Sequence, residues 1–157
     1  MSDPIYTAEA RVEGGRDKGR GLTPGGELDV RLRLPEELGG DGDGANPEQL
    51  FAIGYAGCFE AVIKVAASRL GIPARHVSDV AIDAKVMLIP CDDDGFQLGA
   101  ELDVELPSLD DPAKAAALVR AAHAMCPYSR ATRGNIDVAI TVNGVVLESA
   151  ARPAVVS

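Results

Sequence analysis

Two cysteines in contrasting settings are the residues best placed to do chemistry. Cys58 lies in Gly54-Tyr55-Ala56-Gly57-Cys58-Phe59, inside a long apolar stretch, and Cys126 lies in His123-Ala124-Met125-Cys126-Pro127-Tyr128-Ser129. The thiolate is the reactive form of cysteine, and surrounding charges and dipoles set how much of it exists. Cys126 stands where a helix should end, and the negative pole of a helix dipole disfavours a thiolate there. Cys58 taken alone reads first as a small buried hydrophobe on an apolar helical face. If the two thiols meet in space, their roles are unequal. Cys58, given a cationic neighbour, attacks, and Cys126 resolves the oxidised product as a disulfide. Arg16, Arg20, Arg130 and Arg133 are all candidates for that cation, and spacing does not rank them.

Other constellations carry less. His123 and Cys126 are spaced so that a helix puts both on one face, but a structural zinc takes four ligands, and only Cys58 and His76 remain by type. No metal is expected. Cys91 sits between Pro90 and Asp92-Asp93-Asp94, where negative charge disfavours its thiolate, and reads as a bystander. Asp41-Gly42-Asp43-Gly44 looks like the start of a calcium loop, yet Asn46 and Ala52 occupy the places where such a loop needs glycine and glutamate.

The elements that position these residues follow from pattern. Tyr6 to Val12 and Leu28 to Leu34 read as strands, the second from alternation of Leu28, Val30, Leu32 and Leu34, and a third strand is possible near them. Glu37 to Ala45 is a glycine-rich surface loop. Asn46-Pro47-Glu48 starts a helix, with Asn as cap, Pro at the first position and an acid at the positive pole. It runs to Gly71, carries Cys58, and is apolar around most of its circumference, with Glu60, Lys64 and Ser68 as a thin polar stripe. Such a helix requires burial on nearly all sides, more than one small sheet supplies. Val80 to Leu88 and Phe96 to Leu106 form a hairpin; Ala113 to Met125 form a second helix, blocked by Pro127; Ile136 to Val142 and Val145 to Glu148 flank an Asn143-Gly144 turn. The tail beyond is expected to fray. Strands and helices are segregated along the chain, the pattern of an α+β fold.

Composition sets the outer bounds. The 157 residues, 46% hydrophobic and 25% charged, match a single domain, 1–157. There is no uncharged apolar run of about 18 residues, so no membrane association is expected. A net charge of -9 argues against nucleic acid as a partner. Met1-Ser2-Asp3-Pro4 lacks the basic start and apolar core of a secretory signal, and three cysteines do not make a disulfide framework. The expectation is a cytoplasmic protein.

One resemblance gathers these signals. Gly14-Gly15-Arg16-Asp17, Asn46-Pro47-Glu48-Gln49-Leu50-Phe51, the segment ending in Cys58-Phe59, Ala122-His123-Ala124-Met125-Cys126-Pro127-Tyr128-Ser129, and Ala131-Thr132-Arg133-Gly134-Asn135-Ile136-Asp137-Val138 occur in the order found in the organic hydroperoxide resistance proteins of the OsmC superfamily, which this chain resembles from about Tyr6 to about Val142. The resemblance implies an OsmC-like fold, antiparallel sheets around a long buried central helix in an intertwined homodimer. It implies that Cys58 reduces an organic hydroperoxide, that Cys126 resolves it through a Cys58–Cys126 disulfide, and that Arg16 and Glu48 form a charged pair beside the reactive thiol. It further implies no bound cofactor, with dihydrolipoamide or a lipoylated carrier protein as reductant. Gly57, Glu60 and Arg130 depart from the commonest pattern without removing a mapped group.

Elementary chemistry agrees with those roles. Peroxide reduction needs a cation to hold the thiolate and a donor for the departing oxygen; an arginine supplies both, and a carboxylate such as Glu48 aims it. The apolar residues near Cys58, with Phe51, Tyr55 and Tyr128 as pocket candidates, suit the alkyl part of such a substrate. Glu48 and Cys58 lie ten residues apart, about 15 Å along one helix. We therefore expect Arg16 and Glu48 to reach Cys58 from the partner subunit. A redox sensor without efficient turnover is the alternative reading, and a noncatalytic ligand-binding dimer a third.

Overall fold

A computed structural model describes residues 3–149, the side chain of Arg16 excepted; the expected frayed tail lies mostly outside the described residues. The chain forms two compact units, Met1–Leu50 and Phe51–Ser157.

The first unit holds a three-stranded antiparallel sheet, β1 (Arg11–Glu13), β2 (Gly19–Leu22) and β3 (Asp29–Leu32), in that order. The expected first strand is short because only Arg11–Glu13 finds a partner; Tyr6 remains 83% exposed. Between β1 and β2 lies a single helical turn, α1 (Gly15–Lys18), which the pattern did not foretell. Gly14 and Gly15 adopt φ of 83° and 73°, left-handed values that glycine reaches without strain and that turn the chain there. The glycine-rich loop is exposed as expected and is fastened to β3. Ala45 N–H donates to Arg31 O at 2.9 Å, Arg33 N–H donates to Ala45 O at 2.8 Å, and Arg31 makes a two-pronged bond to Asp43 at 3.2 and 3.1 Å.

The long helix α2 (Pro47–Arg69) begins where Asn46 and Pro47 place it. Asn46 Oδ1 accepts from Gln49 N–H at 2.9 Å, while Gln49 Oε1 accepts from Asn46 N–H at 3.1 Å, a reciprocal capping box.

In the second unit the sheet runs β4 (Ala81–Pro90), β5 (Phe96–Glu105), β6 (Val138–Val142), β7 (Val145–Glu148). β4 and β5 form the expected hairpin, and Asn143 and Gly144, at φ of 47° and 78°, make the turn into β7. The expectation of antiparallel sheets meets one exception, since β5 and β6 are parallel. The physical reason is the connection: α3 (Pro112–Met125) and α4 (Pro127–Thr132) return the chain before β6 starts, as a parallel pair requires. The core joins Tyr55, Phe59, Ile63, Ala66 and Ala67 of α2 to Ala100, Leu102 and Val104 of β5, Leu118, Val119 and Ala122 of α3, and Ile140 and Val142 of β6.

Within one chain α2 is buried along that stripe only. Ile53 and Val65 are 71% and 46% exposed, because the second unit's sheet and helices cover one face of the helix, which is less than the burial on nearly all sides its composition calls for. By length and mean hydropathy, 1.6 over its most apolar window, α2 would also be long and apolar enough to cross a membrane, although it carries the Glu60–Lys64 ion pair. Its inward stripe is that of a core helix.

Candidate active site

The fold brings the two cysteines together across 68 positions of sequence. The Cys126 thiol donates to Cys58 Sγ at 3.7 Å, and both thiols are free. Cys58 is half-buried at mid-helix on α2, and Cys126 is fully buried.

Local sequence explains the position of Cys126. Its own N–H still completes α3, donating to Ala122 O at 2.8 Å, but Pro127 has no N–H with which to continue, and the backbone of Cys126 turns extended at φ -60°, ψ 124°. Proline is also favoured at the first position of a new helix, and α4 begins there. Cys126 therefore ends one helix and precedes another. The sequence reading recognised the stop and not the restart, although Pro127 carries both signals.

The restart matters for Cys58. Burial pushes its thiol above the ordinary cysteine range, the backbone N–H of Tyr128 in the first turn of α4 pulls it back down, and the neighbouring Cys126 pushes it up again, leaving it raised. The Tyr128 amide thus favours the ionised sulfur, an influence that pattern reading did not foresee.

Phe51, Tyr55, Phe59 and Tyr128 form one aromatic cluster, Tyr55 stacked on Tyr128 with centroids 5.7 Å apart and Phe51 edge-on to both. Gly54 permits this closeness: a Cβ there would stand 2.6 Å from Tyr128 Oη. Phe51 and Tyr128 line a cavity of about 610 Å³ with Phe96, Leu98 and Ile136. Tyr55, the third pocket candidate, is fully buried and does not line that cavity. Its hydroxyl is bonded instead to Ser129 Oγ at 3.0 Å and Thr132 Oγ1 at 3.4 Å. His123 Nδ1 meets the same Ser129 Oγ at 2.9 Å, and its Nε2 faces Glu148 at 3.4 Å. Sequence reasoning weighed His123 only as a metal ligand and passed over Ser129. Among the described residues no three of His, Cys, Asp and Glu converge as a metal site would require.

The remaining candidates belong to the first unit. Arg16 lies in α1, with its side chain outside the described residues, and Glu48 lies half-buried in the first turn of α2. Of the other arginines, Arg20 is engaged by Asp29 through two hydrogen bonds, at 2.7 and 2.5 Å, and Arg133 donates to His123 O at 2.8 Å. Cys91, half-exposed, lies against Ile89 O at 3.9 Å.

A pair of thiols in contact can cycle between dithiol and disulfide. Comparison with known proteins identifies the family. The family model for OsmC-like protein matches residues 40–141. An organic hydroperoxide resistance protein of Xanthomonas axonopodis pv. citri is 46% identical over 143 residues, covering 88% of this chain and 94% of that protein. Among solved structures, an organic hydroperoxide resistance protein of Legionella pneumophila superposes with a TM-score of 0.83 at 43% identity, covering 89% of this chain and 98% of the other. The organic hydroperoxide resistance protein OhrB of Bacillus subtilis gives a TM-score of 0.77 at 39% identity, covering 88% and 99%.

Proposed function

The chain belongs to the OsmC-like protein family, among its organic hydroperoxide resistance proteins, and from that premise we propose that it is a cysteine-based peroxidase that reduces organic hydroperoxides to alcohols. The observation that carries the reading is the 3.7 Å approach of Cys58 and Cys126 sulfurs. The Cys58 thiolate attacks one peroxide oxygen. The O–O bond breaks, the alkoxide leaves and takes a proton to become the alcohol, and Cys58 becomes a sulfenic acid. The Cys126 sulfur then attacks that sulfenic sulfur, the S–O bond breaks, the displaced oxygen leaves as water, and a Cys58–Cys126 disulfide forms.

Both steps need support that the two thiols alone do not supply. A thiol raised by burial is a weak nucleophile unless a cation favours its ionised form, and we assign that task to Arg16, aimed by Glu48, the pair arriving from the second subunit of a homodimer. The apolar cavity beside Tyr128 suits the alkyl part of a hydroperoxide, while hydrogen peroxide gains nothing from it. Dihydrolipoamide or a lipoylated carrier protein returns the disulfide to the dithiol by exchange. The reading places the enzyme in the cytoplasm, with neither nucleic acid nor membrane as a partner and with no bound cofactor.

The test is a steady-state assay pairing tert-butyl hydroperoxide or hydrogen peroxide with dihydrolipoamide or thioredoxin. Turnover is expected for the organic peroxide with dihydrolipoamide, Cys58→Ser should abolish it, and Cys126→Ser should stop after one oxidation. Turnover with hydrogen peroxide or thioredoxin alone would refute the assignment.

A further inference from the structure

Behind Cys126 lies a hydrogen-bonded chain that peroxide chemistry does not explain by itself. It runs from Tyr55 on α2 through Ser129 on α4 to His123 on α3, whose Nε2 lies 3.4 Å from the Glu148 carboxylate on β7. Tyr55 and Ser129 are completely buried. His123 and Glu148 open onto a cavity of about 420 Å³ shared with Gln97, Arg133 and Asp137.

One tautomer sets the direction of the bonds. The Glu148 carboxylate, 3.4 Å from Nε2, favours the form with its proton there, which leaves Nδ1 as an acceptor. Ser129 O–H then donates to Nδ1, and Tyr55 O–H donates to Ser129 Oγ. Thr132 Oγ1 supplies a second acceptor for Tyr55, its own proton going to Tyr128 O at 2.9 Å or Ser129 O at 3.2 Å. This order requires a neutral imidazole. Burial lowers the His123 pKa, Glu148 raises it and Arg133 lowers it, with a net lowering that keeps the ring neutral. Tyr55 is raised, chiefly by burial, and stays a donor.

Ser129 follows Cys126 by one helical turn and is tied to two other helices at once. We propose that Ser129 and His123 are positioning residues for the resolving step, clamping the α3–α4 corner onto α2 so that the Cys126 sulfur is aligned with the sulfenic sulfur of Cys58. Closing the disulfide requires the sulfurs to move from 3.7 Å to about 2.0 Å. The corner must therefore be held in register while that short approach takes place. Protonating His123 puts a donor at Nδ1, so the Ser129 hydroxyl must turn its own proton elsewhere and accept there instead, and the order of bonds from Tyr55 to His123 is lost. Glu148 from β7, Arg133 after α4 and Asp137 at the shared cavity are the charged groups around the ring that modulate this.

The inference rests on the peroxidase reading, and one experiment separates them. Reduced full-length protein, Ser129→Ala, Tyr55→Phe and His123→Asn are mixed rapidly with tert-butyl hydroperoxide, and dimedone capture of the Cys58 sulfenic acid is followed beside disulfide formation by intact mass. Ser129→Ala should form the sulfenic acid within about threefold of the parent rate but close the disulfide at least about tenfold more slowly, the size expected for orphaning a buried hydrogen-bond partner. Tyr55→Phe, which removes one hydroxyl, should show the same split and serves if Ser129→Ala does not fold. His123→Asn keeps an acceptor near the place of Nδ1 without a titrating ring. Its closing rate relative to the parent should therefore rise as pH falls below 6.5, the ordinary histidine value. Normal closing in Ser129→Ala and Tyr55→Phe, equal loss of both steps, or a pH-independent ratio overturns the inference alone. A parent that forms no Cys58–Cys126 disulfide overturns the peroxidase reading and the inference with it.

Discussion

Cys58 carries two opposed influences. Burial raises its thiol and the Tyr128 N–H lowers it, so the thiolate fraction at neutral pH depends on what further charge reaches the sulfur. The reactive form grows as pH rises through the thiol pKa. A cation lowers that pKa and moves the rate profile to lower pH; removing it does the reverse. Arg16→Ala should therefore displace the pH profile of Cys58 oxidation towards alkaline values, with about a tenfold loss of rate at neutral pH for each unit of displacement. Stopped-flow peroxide consumption from pH 5 to 10 measures it, and an unmoved profile would remove Arg16 from the role. Cys126 shows the other lesson of this scale. The sequence placed it at a helix C-terminus, and that holds, but the same residue precedes the helix whose first amides include the Tyr128 donor.

Helix contacts set the site at the level of elements. α2 and α4 approach closely because Gly54 leaves space for the Tyr128 ring, which stacks on Tyr55. Alanine is the better helix former, by about 1 kcal/mol over glycine, so propensity alone says Gly54→Ala stabilises α2. The added Cβ would meet Tyr128 Oη at 2.6 Å and Cζ at 3.1 Å, and a stacked ring cannot yield as a flexible chain end does. Overpacking costs about 1–3 kcal/mol, which exceeds the propensity gain. Gly54→Ala should lower stability in urea titrations and slow Cys58 oxidation by shifting the Tyr128 amide. An unchanged rate would mean that the amide does not serve the sulfur.

For the whole molecule, the exposed apolar residues of α2 and the reach of Arg16 and Glu48 lead to one expectation, an isologous dimer whose two sites each draw on both chains. Complementation tests it. Arg16→Ala lacks the cation and Cys58→Ser lacks the thiol, so at neutral pH the first alone should be slow and the second inactive. Unfolded together and refolded in equal amounts, half of the dimers would be mixed and each would hold one intact site, giving about a quarter of parent activity if the cation crosses the interface. No recovery would place all four groups within one chain.

The sequence alone determined what local chemistry dictates. Asn46 and Pro47 start α2 because a cap and a proline satisfy the first turn whatever surrounds it, Pro127 stops α3 because it lacks an N–H, and alternation in Phe96–Glu105 marks a half-buried strand. The two cysteines and the family they indicate were legible for the same reason, since both rest on residue types at fixed positions. Tertiary structure alone decided what depends on distance across 68 positions: the contact of Cys58 with Cys126, and with it the pull of the Tyr128 amide on the Cys58 thiol. It also decided that β5 and β6 run parallel, that Tyr55 is an anchor and not a pocket wall, and that His123 and Ser129 meet behind the resolving cysteine. Periodicity records which side of an element is apolar, and only the packed chain fixes which neighbour that side meets.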